Sequence, residues 1–113
     1  MAITRSSSTV LNAVPTTQAS ASQDVSPSYA AEWYVSIAVA GTASTAAGFQ
    51  ILSEPDGATD YNSPAYQAGT AAGTYYWVIP VPVAAKATKI LFTQQVGGTS
   101  STCTAQLGQI TAV

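Results

Sequence analysis

Histidine is absent from this 113-residue sequence, and cysteine occurs once, at Cys103. Without histidine, the chain has neither a Ser-His-Asp nor a Cys-His arrangement for nucleophilic catalysis, and it lacks histidine-based zinc sites. A single thiol can form neither an internal disulfide nor a four-cysteine metal site. The sequence therefore predicts a protein that is not an enzyme, with no catalytic residues, no metal ligands and no cofactor.

Charge is also scarce. Only 7% of the residues are charged, and three Lys or Arg residues stand against five Asp or Glu residues, for a formal net charge of −2. Three cations cannot form the basic surface that nucleic acid binding needs, so no nucleic acid partner is expected. Soluble monomers usually intersperse charges over their surface. An uncharged surface is common where subunits pack together and predicts assembly; a neutral, Thr-rich β surface is the alternative.

Long apolar runs are missing too. No stretch approaches 18 consecutive apolar residues, the length that indicates a transmembrane helix. The first six residues lack the continuous apolar segment of a secretory signal. We therefore expect no membrane partner and no export by the secretory route.

Alternation of apolar and polar residues is the strongest structural pattern in the chain. Over residues 32–40 it places Trp33, Val35, Ile37 and Val39 on one face of a strand. Further strands are predicted at 48–54, 75–79, 88–96 and 102–113, and Pro80 is expected to leave the sheet or lie on its edge. Such a series predicts an all-β fold, an antiparallel β-sandwich of Ig-like or jelly-roll type, with the strand order left open.

The last predicted strand carries one irregularity. Cys103 and Leu107 are expected to face inward, and Gly108 is predicted to form a bulge. The bulge would shift the phase so that Ile110 and Ala112 become the inward-facing residues.

The first 28 residues differ in composition from the rest. They are rich in Ser, Thr, Ala and Gln, contain Pro15 and Pro27, and offer only residues 9–14 as a short strand. A segment of this kind has little apolar surface to bury. The sequence predicts an extended N-terminal arm at 1–28 and a β-sandwich domain at 29–113.

The polar loop 55–73 and its flanks hold the candidate ligand residues. Glu54, Asp56 and Asp60 could supply oxygen ligands to Ca²⁺, although a solvated loop explains the cluster equally well. A sugar ring could stack on Tyr61 or Tyr66 beside Asp60, and the alternative is that these tyrosines pack half-buried at strand ends.

Three stretches resemble small structural proteins of tailed bacteriophages. They are the opening Ile-Thr-Arg-Ser-Ser-Ser-Thr-Val-Leu-Asn-Ala at 3–13, Phe-Gln-Ile-Leu-Ser at 49–53 followed by Asp56-Gly57, and Thr-Lys-Ile-Leu-Phe-Thr at 88–93 followed by Gly97-Gly98. The resemblance implies a small β-sandwich found in the virion, often a capsid decoration (cement) protein that binds the outer capsid surface as a trimer.

Within that family, the expected partner is the major capsid protein or another virion protein. The arm would add a strand to a neighbour's sheet edge, and its apolar anchors would be Val10, Leu11 and Val14. Two alternatives stay open. One is a tail, baseplate or fibre module that binds host carbohydrate through Asp60, Tyr61 and Tyr66; the other is a neck or tail ring component.

Overall fold

The computed structural model describes residues 3–41, 45–82, 85–95 and 101–112, and within them the chain is all β. None of the described residues forms a helix of the length and apolar character needed to cross a membrane. These ranges contain ten strands: β1 (Thr4–Val14), β2 (Gln18–Ala19), β3 (Gln23–Asp24), β4 (Ala30–Val39), β5 (Gly48–Glu54), β6 (Tyr61–Asn62), β7 (Tyr66–Gln67), β8 (Gly73–Pro80), β9 (Ala87–Thr93) and β10 (Ser101–Ala112).

The strands form two antiparallel sheets. The first sheet has the order β1-β10-β4-β8, which brings the two ends of the chain side by side. The second sheet is built on the β5–β9 pair; β2 and β3 lie along the outer side of β9, and β6 and β7 along the outer side of β5. The predicted all-β antiparallel sandwich is confirmed.

The core lies between the inner faces of the two sheets. Trp33, Val35, Ile37 and Val39 are all buried, as the alternation predicts, and Trp33 and Ile37 have no exposed surface. The second sheet contributes residues such as Phe49, Ile51, Ile90 and Phe92. The Phe49 ring and the Trp77 ring of the first sheet form a T-shaped pair with centroids 5.0 Å apart. This packing joins the two sheets.

The N-terminal segment differs from the prediction of an arm separate from the sandwich. Its described residues, 3–28, supply β1 to the first sheet and β2 and β3 to the second. Leu11 and Val25 are buried in the core. Polar composition does not exclude a strand here, because an edge strand that is paired along one side can remain exposed on both faces. Residues 4–9 are exposed in this way, so they show no apolar alternation from which the strand could be predicted.

The bulge predicted at Gly108 is wrong. The pairing of β10 with β4 runs without a shift from Ser101 opposite Val39 to Ile110 opposite Ala30, with Gly108 opposite Glu32. Ile110 therefore stays on the outer face of the sheet. The glycine instead leaves space for the Tyr34 ring, because a Cβ at position 108 would lie 3.1 Å from Tyr34 Cε2.

Pro80 ends β8 at the edge of the first sheet, in agreement with the expectation for a proline that cannot donate a ladder hydrogen bond. The predicted strand 88–96 is observed as Ala87–Thr93. Val96 and the Gly97-Gly98 pair lie outside the described residues.

Candidate interaction surface

The outer face of the first sheet carries the most exposed apolar and aromatic side chains of its strands. The alternation that buries Trp33 turns Tyr34 outward, and on β8 it turns Tyr76 and Val78 outward. Their exposed fractions are 43% for Tyr34, 77% for Tyr76 and 58% for Val78. We call the following set the outer patch: Tyr34, Ser36, Tyr76, Val78, Thr104 and Gln106, which together line a shallow depression.

Strand register brings the outer patch together. Tyr34 lies opposite Val78, and Ser36 lies opposite Tyr76, across the β4–β8 pair. Gln106 of β10 lies opposite Tyr34 on its other side. Opposite residues of an antiparallel pair have Cβ atoms about 5 Å apart, so the side chains form one continuous surface. None of the six is charged.

Tyr34 is held in place from two directions. Its hydroxyl donates a 2.5 Å hydrogen bond to Glu32 Oε1. This bond to a carboxylate raises the pKa of Tyr34 above its ordinary value of 10.0. Its ring lies against Gly108. The ring therefore has a defined position at the border between the outer patch, to which it belongs, and a groove at the end of the sheet that includes Arg5, Glu32 and Ile110.

The apolar anchors predicted for the arm lie in or against the protein's own core. Leu11 is 4% exposed, and Val10 and Val14 are half-buried and packed against the core cluster. Val14 pairs with Cys103, and Leu11 pairs with Ala105. These side chains contribute to the stability of the monomer.

The predicted ligand loop does not bring its tyrosines to one place. Tyr61 pairs with Ser53 and Tyr66 pairs with Phe49. These partners are four residues apart along β5, which is about 13 Å in a strand. Tyr61 is 62% exposed, whereas the Tyr66 ring stacks on Phe49 with centroids 5.1 Å apart. Tyr61 is therefore the more exposed of the two rings.

The three carboxylates near this loop have separate partners. Buried Glu54 accepts a hydrogen bond from Ser22 Oγ. Asp56 accepts hydrogen bonds from the backbone N–H groups of Ala58 and Thr59. Asp60 forms a 3.1 Å ion pair with Lys89. The described part of the chain contains no group of three His, Cys, Asp or Glu residues that could hold a metal ion.

The outer patch was missed by the sequence reasoning, although a signal for it was present. Once Trp33 and Trp77 are assigned to the inner face, a period of two requires Tyr34, Tyr76 and Val78 to face outward. Large apolar residues at outward positions on neighbouring strands mark an interaction surface. That Tyr34 lies beside Tyr76 and Val78 depends on the pairing of β4 with β8, and the sequence left the strand order open.

Comparison with known proteins supports the fold. No protein-family model matches the chain, and no curated protein sequence matches it. Among solved structures, the crystal structure of the SPBc2 prophage-derived protein YomS matches with a TM-score of 0.59. The match covers 96% of each chain at 11% sequence identity. Over nearly its whole length, the chain is therefore similar in fold to YomS.

Proposed function

We propose that this chain is a non-enzymatic structural protein of a tailed bacteriophage virion, and that it decorates the capsid by binding the major capsid protein across neighbouring capsomers. The observation that carries the proposal is the outer patch, an uncharged, aromatic surface on a β-sheet. The six side chains of the patch can be buried against another protein without desolvating a charge of their own, and the neighbouring Glu32 carboxylate accepts a hydrogen bond from Tyr34.

Two further features support a phage origin. The structure similar in fold, YomS, is described as prophage-derived. The sequences at 3–13, 49–53 and 88–93 resemble those of small structural proteins of tailed phages. The first feature supports a phage origin, and the second supports a place in the virion.

The capsid contact is assigned to the outer patch rather than to Val10, Leu11 and Val14. Those three side chains pack in or against the core, so turning them toward a partner would cost the protein its own packing. Tyr34 and Tyr76, in contrast, offer large contact area at a low cost in side-chain entropy. Repeated over a capsid lattice, many such contacts stabilise the assembled shell because they bind only that state.

The test mixes the full-length protein with phage heads that lack it and counts bound copies by cryo-EM. Ordered density at regular lattice positions is the expected result. Tyr34→Ser should weaken head binding by about tenfold or more, the effect of losing a well-packed aromatic contact. Tyr61→Ser, an exposed tyrosine of the second sheet, is the matched control and should bind like the unaltered protein.

Other results would contradict the proposal in distinct ways. Absence of lattice density for the unaltered protein would overturn the decoration role. Loss of binding to host glycans in Tyr61→Ser, together with no head binding, would favour the host-carbohydrate alternative. Circular dichroism of both variants checks that the fold is retained.

A further inference from the structure

We propose that β8 pairs with β8 of a second copy of this chain across a two-fold axis. The first sheet of one copy and the first sheet of the other would then form one continuous sheet. This inference goes beyond the capsid role and does not depend on it. The partner is identified by the hydrogen-bonding groups, the lack of charge and the side-chain pattern of the β8 edge.

The main chain of β8 has hydrogen-bonding groups that point away from the protein. Val81 N–H donates to Ala31 O at 2.9 Å, in register with the pairing of Pro80 with Glu32. Hydrogen-bonded and non-hydrogen-bonded pairs alternate along an antiparallel ladder. Odd-numbered residues of β8 therefore bond to β4. The residues whose backbone groups point to the free edge are Thr74, Tyr76, Val78 and Pro80.

Two observations agree with this assignment. Pro80, which lacks an N–H, stands at an outward-pointing position, where a proline costs the ladder no hydrogen bond. Over the described ranges, β8 has a strand neighbour only on its β4 side. The N–H groups of Thr74, Tyr76 and Val78 are therefore placed to pair with another strand.

The two edges of the first sheet differ in their protection against pairing. The β1 edge carries Arg5, three register shifts against β10 and a left-handed residue, Ala13. Charge, proline and bulges are the usual devices that prevent edge-to-edge association. The β8 edge has no charged residue from Gly73 to Pro80, keeps an unbroken register with β4 and carries its proline at its last residue, Pro80. Of the two edges, β8 is the one open to a partner.

β8 is also complementary to itself. In an antiparallel pair centred on Trp77, Tyr76 lies opposite the partner's Val78, and Val78 opposite the partner's Tyr76. Each pair can exchange both main-chain hydrogen bonds, because these residues point their backbone groups outward. Aromatic and β-branched side chains pair favourably across strands. The arrangement sets the Tyr76 and Val78 side chains of the two copies side by side on the outer face of the joined sheet and places no like charges together.

The test is the oligomeric state of the full chain, measured by sedimentation equilibrium over micromolar to millimolar concentrations. A dimer of twice the 11.5 kDa chain mass is expected. Tyr76→Lys sets two like charges close to the axis and should weaken dimerisation by at least tenfold. Val78→Pro removes an outward N–H while sparing the bonds to β4, and it should have the same effect.

Gln106→Lys is the matched control. It adds the same charge to the same sheet face on β10, two strands from β8, and should remain dimeric. A mixture of Tyr76→Cys and Val78→Cys proteins should form disulfide-linked heterodimers under oxidation, since those positions face each other. A monomer at all concentrations, a trimer, or a dimer that survives both β8 variants would overturn the proposal. If the protein is monomeric and still binds phage heads, the dimer proposal is wrong and the proposed capsid function is unaffected.

Discussion

Trp33 Nε1 donates a 3.1 Å hydrogen bond to Thr88 Oγ1, and this bond crosses the sandwich from β4 to β9. The Thr88 hydroxyl in turn donates to Leu52 O at 3.0 Å. Trp33 and Thr88 are both fully buried. One hydroxyl therefore satisfies two polar groups of the core, and it fixes the position of the first sheet relative to the second.

Thr88→Val should destabilise the protein by about 2 kcal/mol, because it leaves the buried indole N–H without an acceptor while preserving side-chain shape. Urea denaturation followed by tryptophan fluorescence measures the change. Thr93→Val, an exposed position on the same strand, is the control and should stay within about 0.5 kcal/mol. Equal stability of both variants would contradict the importance of the cross-sheet bond.

Cys103 should be inert in the folded protein. It has no exposed surface, and burial raises its pKa from 9.0 to about 12. The folded state thus retains the thiol proton where the unfolded chain releases it. The protonated Cys103 thiol should therefore contribute to the free energy of unfolding in full below pH 9. As the pH rises from about 9 to 12, the free energy of unfolding should fall by at most about 1.4 kcal/mol per pH unit.

Comparison of the unaltered protein with Cys103→Ala isolates this effect, since other groups titrate equally in both. The difference in unfolding free energy between them should change with pH only in that alkaline window. Iodoacetamide should label Cys103 after unfolding in urea and leave it unlabelled in the native protein at neutral pH. Rapid native labelling would show that the thiol is accessible.

Asp56 should titrate at unusually low pH. Hydrogen bonds from the backbone N–H groups of Thr59 and Ala58, and from the Thr59 hydroxyl, lower the pKa of Asp56 from 3.8 to about 2. As the pH falls, the Asp56 carboxylate is protonated in the unfolded chain before it is protonated in the folded protein. The ionised carboxylate therefore stabilises the fold above about pH 4, and this stabilisation is lost as the pH falls toward 2. NMR titration of the Asp56 carboxyl carbon measures the midpoint directly, and a midpoint near 3.8 would mean that the turn does not hold the carboxylate.

Ala13 adopts a left-handed conformation, with φ of 48°, within the register shift of β1 between Leu11 and Val14. For an L-residue with a Cβ, this conformation costs about 1 kcal/mol. Ala13→Gly should therefore be neutral or stabilising by up to about 1 kcal/mol. Ala38→Gly, at an exposed position in the regular strand β4, should be destabilising by about 0.5 to 1 kcal/mol. Thermal denaturation of the two variants gives the comparison, and equal losses would indicate that Ala13 is unstrained.

Local pattern determined several elements of this protein. The alternation over residues 32–40 predicts β4 and its buried face, because the period of a strand is a property of consecutive residues. Pro55-Asp56-Gly57 predicts the turn after β5, where Gly57 has φ of 79°. The scarcity of charge likewise follows from composition alone. These features need no knowledge of what packs against them.

Tertiary structure decided what depends on distant neighbours. Residues 4–9 have no apolar alternation, and they form a strand because β10 supplies hydrogen-bond partners about one hundred residues away in the chain. Gly108 continues in register because β4 pairs with it on one side and the Tyr34 ring needs its space. Tyr34, Tyr76 and Val78 become one surface only when β4 and β8 lie side by side. Strand pairing of this kind is non-local, so a sequence pattern determines each strand's faces while the fold determines which faces meet.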